Sequence, residues 1–460
     1  MKTFIKLSLV VAIMFFSTSI KAQTFGNVQN SIPRDKDGIN QFDVKKDSAQ
    51  FKGVSVYMGG AFALQFQALN SFNDHENLAA PIANYRLNNL ANNLNLPIAN
   101  MTFGAQLADG VRVNLELYLS ARHHNETWVK GGYLQIDKLD FIKKDFLKDF
   151  MKYATIKVGQ MENNYGDAHF RRSDNGSALV NPFIENNIMD AFTTEPGVEV
   201  YYNRSGFVSM LGVTNSKLNQ SVAEIVPGTP TVTAPDQNTT VSPTILAKLG
   251  YDKQIDKDLR VRITGSFYHV SNMSSNLYSS DRAGSHYYGV MSHQAYTGAG
   301  SVLVASNFDV TANKDTGRFN PGFANWATSI MVNPFVKYKG LEIFGTLELA
   351  SGGNIKGNDE KRTFNQYAGD VVYRFGKSEN LYLGAKYNMV SGKLNNADAN
   401  SVSINRVEAS AGWFMTKNIL AKLAYISQSY NDFSQFTAGN PNDLYGGKFN
   451  GLMFESVITF

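Results

Sequence analysis

The chain has 460 residues, 43 lysines and arginines against 39 aspartates and glutamates, and no cysteine. A net charge of +4 is no footprint for nucleic-acid binding, and the missing cysteines exclude disulfides and thiolate metal sites. Aromatic residues are abundant, with 31 Phe and 22 Tyr, and no shift in composition divides the length into the roughly three domains expected of a soluble chain this long.

Residues 1–22 read as a secretory signal. Lys2 and Lys6 form a basic start, Leu7 to Phe16 is apolar apart from Ser8, and small residues lead to an expected cleavage after Ala22. The apolar run is shorter than the ~20 residues that span a bilayer. Removing the signal takes Lys2, Lys6 and Lys21 away and leaves the mature chain close to neutral. Residues 23–50 are polar and mixed in charge, and are expected to form a loose periplasmic segment.

From Val54 the side chains alternate. Val54, Val56, Met58, Phe62, Leu64 and Phe66 share one face, and Ser55, Tyr57, Ala61, Ala63, Gln65 and Gln67 share the other. That period is two, the period of a strand. Residues 70–99 read as a long Asn-rich loop. Residues 101–108 and 111–120 read as two strands around the tight turn Asp109-Gly110. In the second, Val111, Val113, Leu115, Leu117 and Leu119 alternate with Arg112, Asn114, Glu116 and Tyr118. One face is oily and the other carries charge, and a barrel with lipid outside and water inside satisfies both.

The pattern predicts further strands near 127–137, 152–161, 195–203, 206–214, 243–253, 258–270, 327–338, 340–350, 364–375, 380–390, 404–415, 418–428 and 450–460. Strand 206–214 has an open phase, because Phe207 and Leu211 take one parity and Val208 and Met210 the other. Leu139 to Met151 has helical spacing and is expected as a short plug or cap at the rim. The last strand ends the chain on an aromatic residue, Phe460, as outer-membrane barrels often do. The fold class expected is all-β: a transmembrane antiparallel barrel of about sixteen strands over residues 51–460. Its connections sort into short periplasmic turns and long extracellular loops.

The polar parity gives an expected lumen. Its basic residues are Arg112, Lys157, Lys248, Arg260, Arg262, Lys337, Arg374, Lys386 and Lys422. Its acidic residues are Glu116, Glu199, Glu342, Glu348, Asp370, Glu408 and Glu455. Arg112, Glu116, Lys157, Arg260, Arg262 and Arg374 are the pore-wall candidates. A barrel of 16 to 18 strands is wide enough for an aqueous channel. The connection of about 163–194 is placed to fold inward as a constriction loop. Glu162, Asp167, Arg171, Arg172 and Asp174 are its candidate eyelet groups. Residues 271–326, the longest connection, carry Tyr278, Tyr287, Tyr288 and Tyr296 and suit a surface recognition loop or lid.

Lys157-Val158-Gly159-Gln160-Met161-Glu162, followed by Tyr165-Gly166, resembles the strand-to-loop segment of porins of the phosphate-selective O and P type. Glu195 to Tyr202, entering the next strand, is similar too. The abundance of Asn, Lys and Phe resembles that of Bacteroidetes outer-membrane porins. The resemblance implies a cell outer membrane location and passage of inorganic anions or other small hydrophilic solutes, and makes a homotrimer plausible. The family's proline shortly after Val-Gly-Gln is missing here, and so is its row of arginines.

The function expected is passive diffusion, with weak anion preference, no cofactor and no enzymatic chemistry. Two alternatives stand beside it. One is a plugged structural barrel that binds a partner through its loops. The other is a rim hydrolase, for which His269 and Ser271, two residues apart at a strand end, are the nearest candidates.

Overall fold

The computed structural model describes residues 28–460 apart from 45, 48, 78–85, 96, 120–126, 175–176, 218–241, 274–276, 282, 294–295, 298–303, 306–312, 356–357, 396–397, 399 and 438–439. The expected export signal, residues 1–22, lies outside the described residues.

Sixteen long strands form one closed antiparallel barrel. They are β1 (Ser55–Phe72), β2 (Ile98–Ala108), β3 (Val111–Leu119), β4 (Trp128–Ile136), β5 (Ala154–Glu162), β6 (Thr194–Arg204), β7 (Phe207–Thr214) and β8 (Thr244–Gln254). The second half is β9 (Leu259–Val270), β10 (Ala327–Tyr338), β11 (Leu341–Ile355), β12 (Asn358–Phe375), β13 (Leu381–Gly392), β14 (Val402–Thr416), β15 (Ile419–Asn431) and β16 (Lys448–Thr459). Each strand pairs with its sequence neighbour. β1 closes the ring, meeting β2 over residues 55–63 and β16 over residues 61–72.

Alternation decides which face each side chain takes. Val56, 68% exposed, lies on the outside of β1, while Gln65 and Gln67 are buried inside. β7 takes the phase that puts Val208 and Met210 inside and Phe207 and Leu211 outside, Leu211 at 69% exposure. The outer surface is a belt of Leu, Val, Ile, Phe and Tyr, the surface a bilayer covers. Among the described residues no helix is long and apolar enough to cross a membrane, so the strands do the crossing.

Short turns gather at one end, the periplasmic end, with the C-terminus. The turn after β2 needs Gly110, whose φ is +71°, and a Cβ there would lie 2.6 Å from Lys138 Cγ. The long β4–β5 connection, residues 137–153, is an exception at this end, and the other end carries most of the long loops. The stretch 351–363, expected as loop, continues as strand in β11 and β12, which pair as far as Gly353 with Lys361 and, past a bulge, Ile355 with Asn358.

Three other expectations are corrected. The 139–151 segment is mostly turn, with an α-helix only at Lys148–Met151, and it does not plug the lumen. A left-handed Leu147 at the helix start and Asp145 at φ +61° break the longer helix that the apolar spacing suggested. The described residues of 28–50 are not a loose tail. Phe42 is buried against Phe335 and Phe344 of the wall, and Lys36 N–H donates to Lys417 C=O at 2.9 Å. The described parts of 271–326 are not a surface loop either. Tyr278 and Tyr287 lie inside the barrel, where their hydroxyls donate to Glu348 (2.7 Å) and Glu408 (3.2 Å) of the wall.

Candidate functional site

The lumen is divided. The side walled by β9 to β16 is filled, and the side walled by β3 to β8 holds a cavity of about 580 Å3.

The filling comes from the β5–β6 connection and the 271–326 connection. Chain without a sheet ladder must still satisfy its N–H and C=O groups, and here the wall side chains do it. Ile184 N–H donates to Glu408 at 2.7 Å, Ile188 N–H to Asn388 at 2.6 Å and Met189 N–H to Gln366 at 2.9 Å. The Lys422 ammonium donates to the carbonyls of Ala178, Asn181 and Phe183 at 2.9–3.2 Å. Arg406 donates to Asn186 C=O of one connection and Gly317 C=O of the other, at 2.7 and 2.8 Å. Arg318 and Glu185, 3.1 Å apart, tie the two connections together.

The cavity runs between this filling and the wall. Asn114 and Glu116 of β3, Lys130 and Tyr133 of β4, Thr155 and Lys157 of β5, and Tyr201 and Asn203 of β6 form the wall side. Asn164, His169, Phe170 and Asp174 of the inward connection face them, and Ile32, Asp43, Val44 and Lys46 lie at the periplasmic end. From Thr155 to Glu162 the lining rises along one strand by about 23 Å at ~3.3 Å per residue. The Gly159 of the Val-Gly-Gln stretch sits on this strand with φ +139°. A Cβ there would come within 2.4 Å of Gly132 C=O across the ladder, so the position takes glycine.

The cavity's charges sort into two kinds. Every carboxylate in the lining has a basic partner. Glu116 meets Arg34 (3.6 Å), Glu162 meets His169 (3.5 Å), Asp174 meets Lys130, Asp252 meets Arg260 (2.6 Å) and Asp43 meets Arg262. Lys157, on the inward parity of β5, has no carboxylate partner among the described residues, and neither have Lys152 and Arg204 at the periplasmic rim, which take the outward parity. Their cations lie over tyrosine rings instead: Lys157 over Tyr201 at 5.0 Å, Lys152 over Tyr153 at 5.5 Å, and Arg204 over Tyr153 at 4.9 Å.

All sixteen lumen candidates from the sequence lie on the inward parity, but they do different things. Of the pore-wall group, Glu116 and Lys157 line the cavity. Arg112 donates to Gln135 (2.6 Å) and Asn30 C=O (3.1 Å), and Arg374 to Glu342 (2.8 Å). Arg260 and Arg262 share Asp252. Of the eyelet group, Glu162 and Asp174 line the cavity, and Asp167, Arg171 and Arg172 lie in the filling. Asp167 is held by Lys248 (3.1 Å), Arg262 (2.7 and 3.0 Å) and Thr264 (2.7 Å). Arg171 lies between Asp370 (3.1 Å) and Glu342 (3.7 Å), and Arg172 makes a two-point contact with Asp190 (2.7 and 3.2 Å).

Sequence reasoning missed His169, Tyr133, Tyr201 and the N-terminal residues Arg34, Asp43 and Lys46. The inward parity of Tyr133 and Tyr201 was legible. The docking of Arg34, Asp43 and Lys46 carried no periodic signal. At the loop end, His269 Nε2 and Ser271 Oγ are 3.1 Å apart. The other imidazole nitrogen meets the Thr328 hydroxyl at 2.8 Å rather than a carboxylate. Among the described residues no group of three or more His, Cys, Asp or Glu side chains is arranged to hold a metal.

No family model matches the chain, and no curated protein matches it. Solved structures do match. An outer-membrane OmpT of Vibrio cholerae is 9% identical over 89% of this chain and 99% of its own, with a TM-score of 0.49. An anion-selective porin from Comamonas acidovorans is 11% identical over 88% and 100%, at 0.48. The outer membrane channel DcaP of Acinetobacter baumannii is 11% identical over 90% and 99%, at 0.46. The strand register and the apolar belt establish by themselves that this chain is a sixteen-stranded transmembrane β-barrel.

Proposed function

We propose that the chain is an outer-membrane porin through which small hydrophilic solutes diffuse along the β3–β8 side of the lumen. The observation that carries this reading is the cavity itself. It reaches from the β6–β7 turn to the upper ends of β4 and β5, and both charged and aromatic side chains line it. A weak anion preference goes with it, because Lys157, on the inward parity of β5, has no carboxylate partner among the described residues, while Glu116, Asp174, Asp252 and Asp43 each meet a lysine or arginine. The resemblance of residues 157–166 to phosphate-selective porins makes phosphate the first anion to try, and a homotrimer the assembly to look for.

The test is planar-bilayer recording of the refolded mature protein. Ohmic steps are expected, with a reversal potential in a salt gradient displaced toward anions. Lys157→Gln moves that potential toward zero. Added phosphate lowers the chloride current more than added sulfate does, if the phosphate reading holds. A correctly folded barrel that gives no current sinks the porin reading.

Silence would favour the plugged, partner-binding barrel, which the filled side of the lumen supports. The rim hydrolase has one observation in its favour, the 3.1 Å approach of His269 to Ser271. It requires an ester-cleaving activity that Ser271→Ala abolishes, and an inactive unmodified protein ends it.

A further inference from the structure

The connection between β4 and β5 lies outside the barrel. Ala154 and Val158 share the outward parity of β5, yet Val158 is 40% exposed and Ala154 is fully covered. Tyr202, on the outward parity of β6, stacks on Phe150 with centroids 5.6 Å apart and planes at 23°. Residues 138–152 therefore fold back against the lipid-facing wall at the periplasmic end, with Met151 buried beneath them.

What this segment turns away from the wall is apolar and basic. Phe141 and Ile142 are 61% and 60% exposed, and Phe146 and Leu147 are exposed beside them. Five lysines (Lys138, Lys143, Lys144, Lys148, Lys152) stand against three aspartates (Asp140, Asp145, Asp149). Lys138 and Lys148 have carboxylate partners, in Asp109 and Asp145; Lys143 and Lys144 have none among the described residues. Four large apolar groups facing water would be costly at ~25 cal/mol per Å2. Next to a surface already covered by acyl chains they need not face water.

We propose that residues 138–152 are an interfacial foot that lies in the periplasmic leaflet. Its apolar side chains enter the acyl boundary, and Lys143, Lys144 and Lys148 meet the phosphates of anionic phospholipids. The face continues the lipid belt of the wall, and its charge is complementary to an anionic leaflet. Phe and Tyr at this level match the aromatic band that marks a bilayer boundary.

The cysteine-free chain allows a direct test. Ile142→Cys carries an environment-sensitive NBD dye on the full mature chain. The protein is refolded into vesicles of brominated phosphatidylcholine, with or without phosphatidylglycerol. Leu423→Cys on the belt reports insertion, and Lys257→Cys in the β8–β9 turn reports water. The dye at 142 is expected to be blue-shifted and quenched by bromine, more strongly with phosphatidylglycerol. Lys143→Glu, Lys144→Glu and Lys148→Glu together should remove that lipid dependence. A dye at 142 that behaves like the one at 257, while 423 is quenched, overturns the proposal. A blue-shifted dye that bromine does not reach also overturns it, since protein would then cover the face. Equal quenching in both lipids overturns the assignment to anionic head groups.

Discussion

At the residue scale, the wall charges serve the lumen's filling more than they serve water. Their inward parity was legible from alternation alone, because a charge on the lipid face costs ~2–4 kcal/mol at mid-membrane. What each charge touches was not legible. Asp167 is an example. Its neighbours in sequence suggested an eyelet group, yet Lys248, Arg262 and Thr264 come from two strands some 80 to 97 residues away, and nothing local encodes that meeting. The carboxylate and both cations are fully buried. Removing the acid leaves two buried cations without their shared partner. Breaking such a pair costs about 3–5 kcal/mol. Asp167→Asn should therefore lower the thermal unfolding midpoint in detergent and make the 163–193 connection sensitive to protease. Adding Lys248→Met should restore part of the loss, since Asp167 is the one carboxylate Lys248 meets among the described residues and an apolar group there needs no counter-charge. A midpoint that Asp167→Asn leaves unchanged would mean that water replaces the carboxylate.

At the element scale, strands were legible and connections were not. Strand positions follow from a period of two that repeats along the whole chain. Residues 28–50, 139–151 and 271–326 have no such repeat, and the places of their described residues are set by distant partners. The N-terminal segment is held by Asp43 on Arg262, Lys46 on Asp137, and Phe42 among Phe170, Phe335 and Phe344. Because Asp43, Val44 and Lys46 edge the cavity, deleting residues 28–47 should widen its periplasmic mouth and raise single-channel conductance. Equal conductance would place the narrow point elsewhere. At the loop end, His293 Nδ1 lies 2.6 Å from Asp443 and links the 271–326 connection to the β15–β16 connection. The hydrogen bond to Asp443 holds the imidazole above its ordinary value, against the opposing effect of partial burial. A raised folded value means that the clamp is fully present below ~6.5, the unfolded value, and is lost as pH rises through the folded one. Protease nicking within 432–447 should thus rise with pH in the unmodified protein and stay level in His293→Ala. Parallel pH profiles for the two would show that the clamp does not titrate.

At the scale of the whole molecule, closure was legible in the even strand count. The seam register needed the structure. β1 is eighteen residues long and overlaps both neighbours only near its middle, where Ala63 opposes Ile98 of β2 and Val457 of β16. The offset follows from geometry. Closing a ring of tilted strands forces the register to climb around it, so the strand at the seam must reach both ends of the climb. A closed ring has no free edge, and this gives a direct test. Proline removes one ladder donor and survives only where that donor would have faced solvent. Whichever way the Ala63 N–H points, a strand stands opposite it. Ala63→Pro should therefore prevent closure, and the unboiled protein should lose its fast-migrating folded band on an SDS gel. Ala63→Gly keeps the donor and should retain the band. If Ala63→Pro folded as readily as Ala63→Gly, β1 would have a free side and the sheet would be open at that seam.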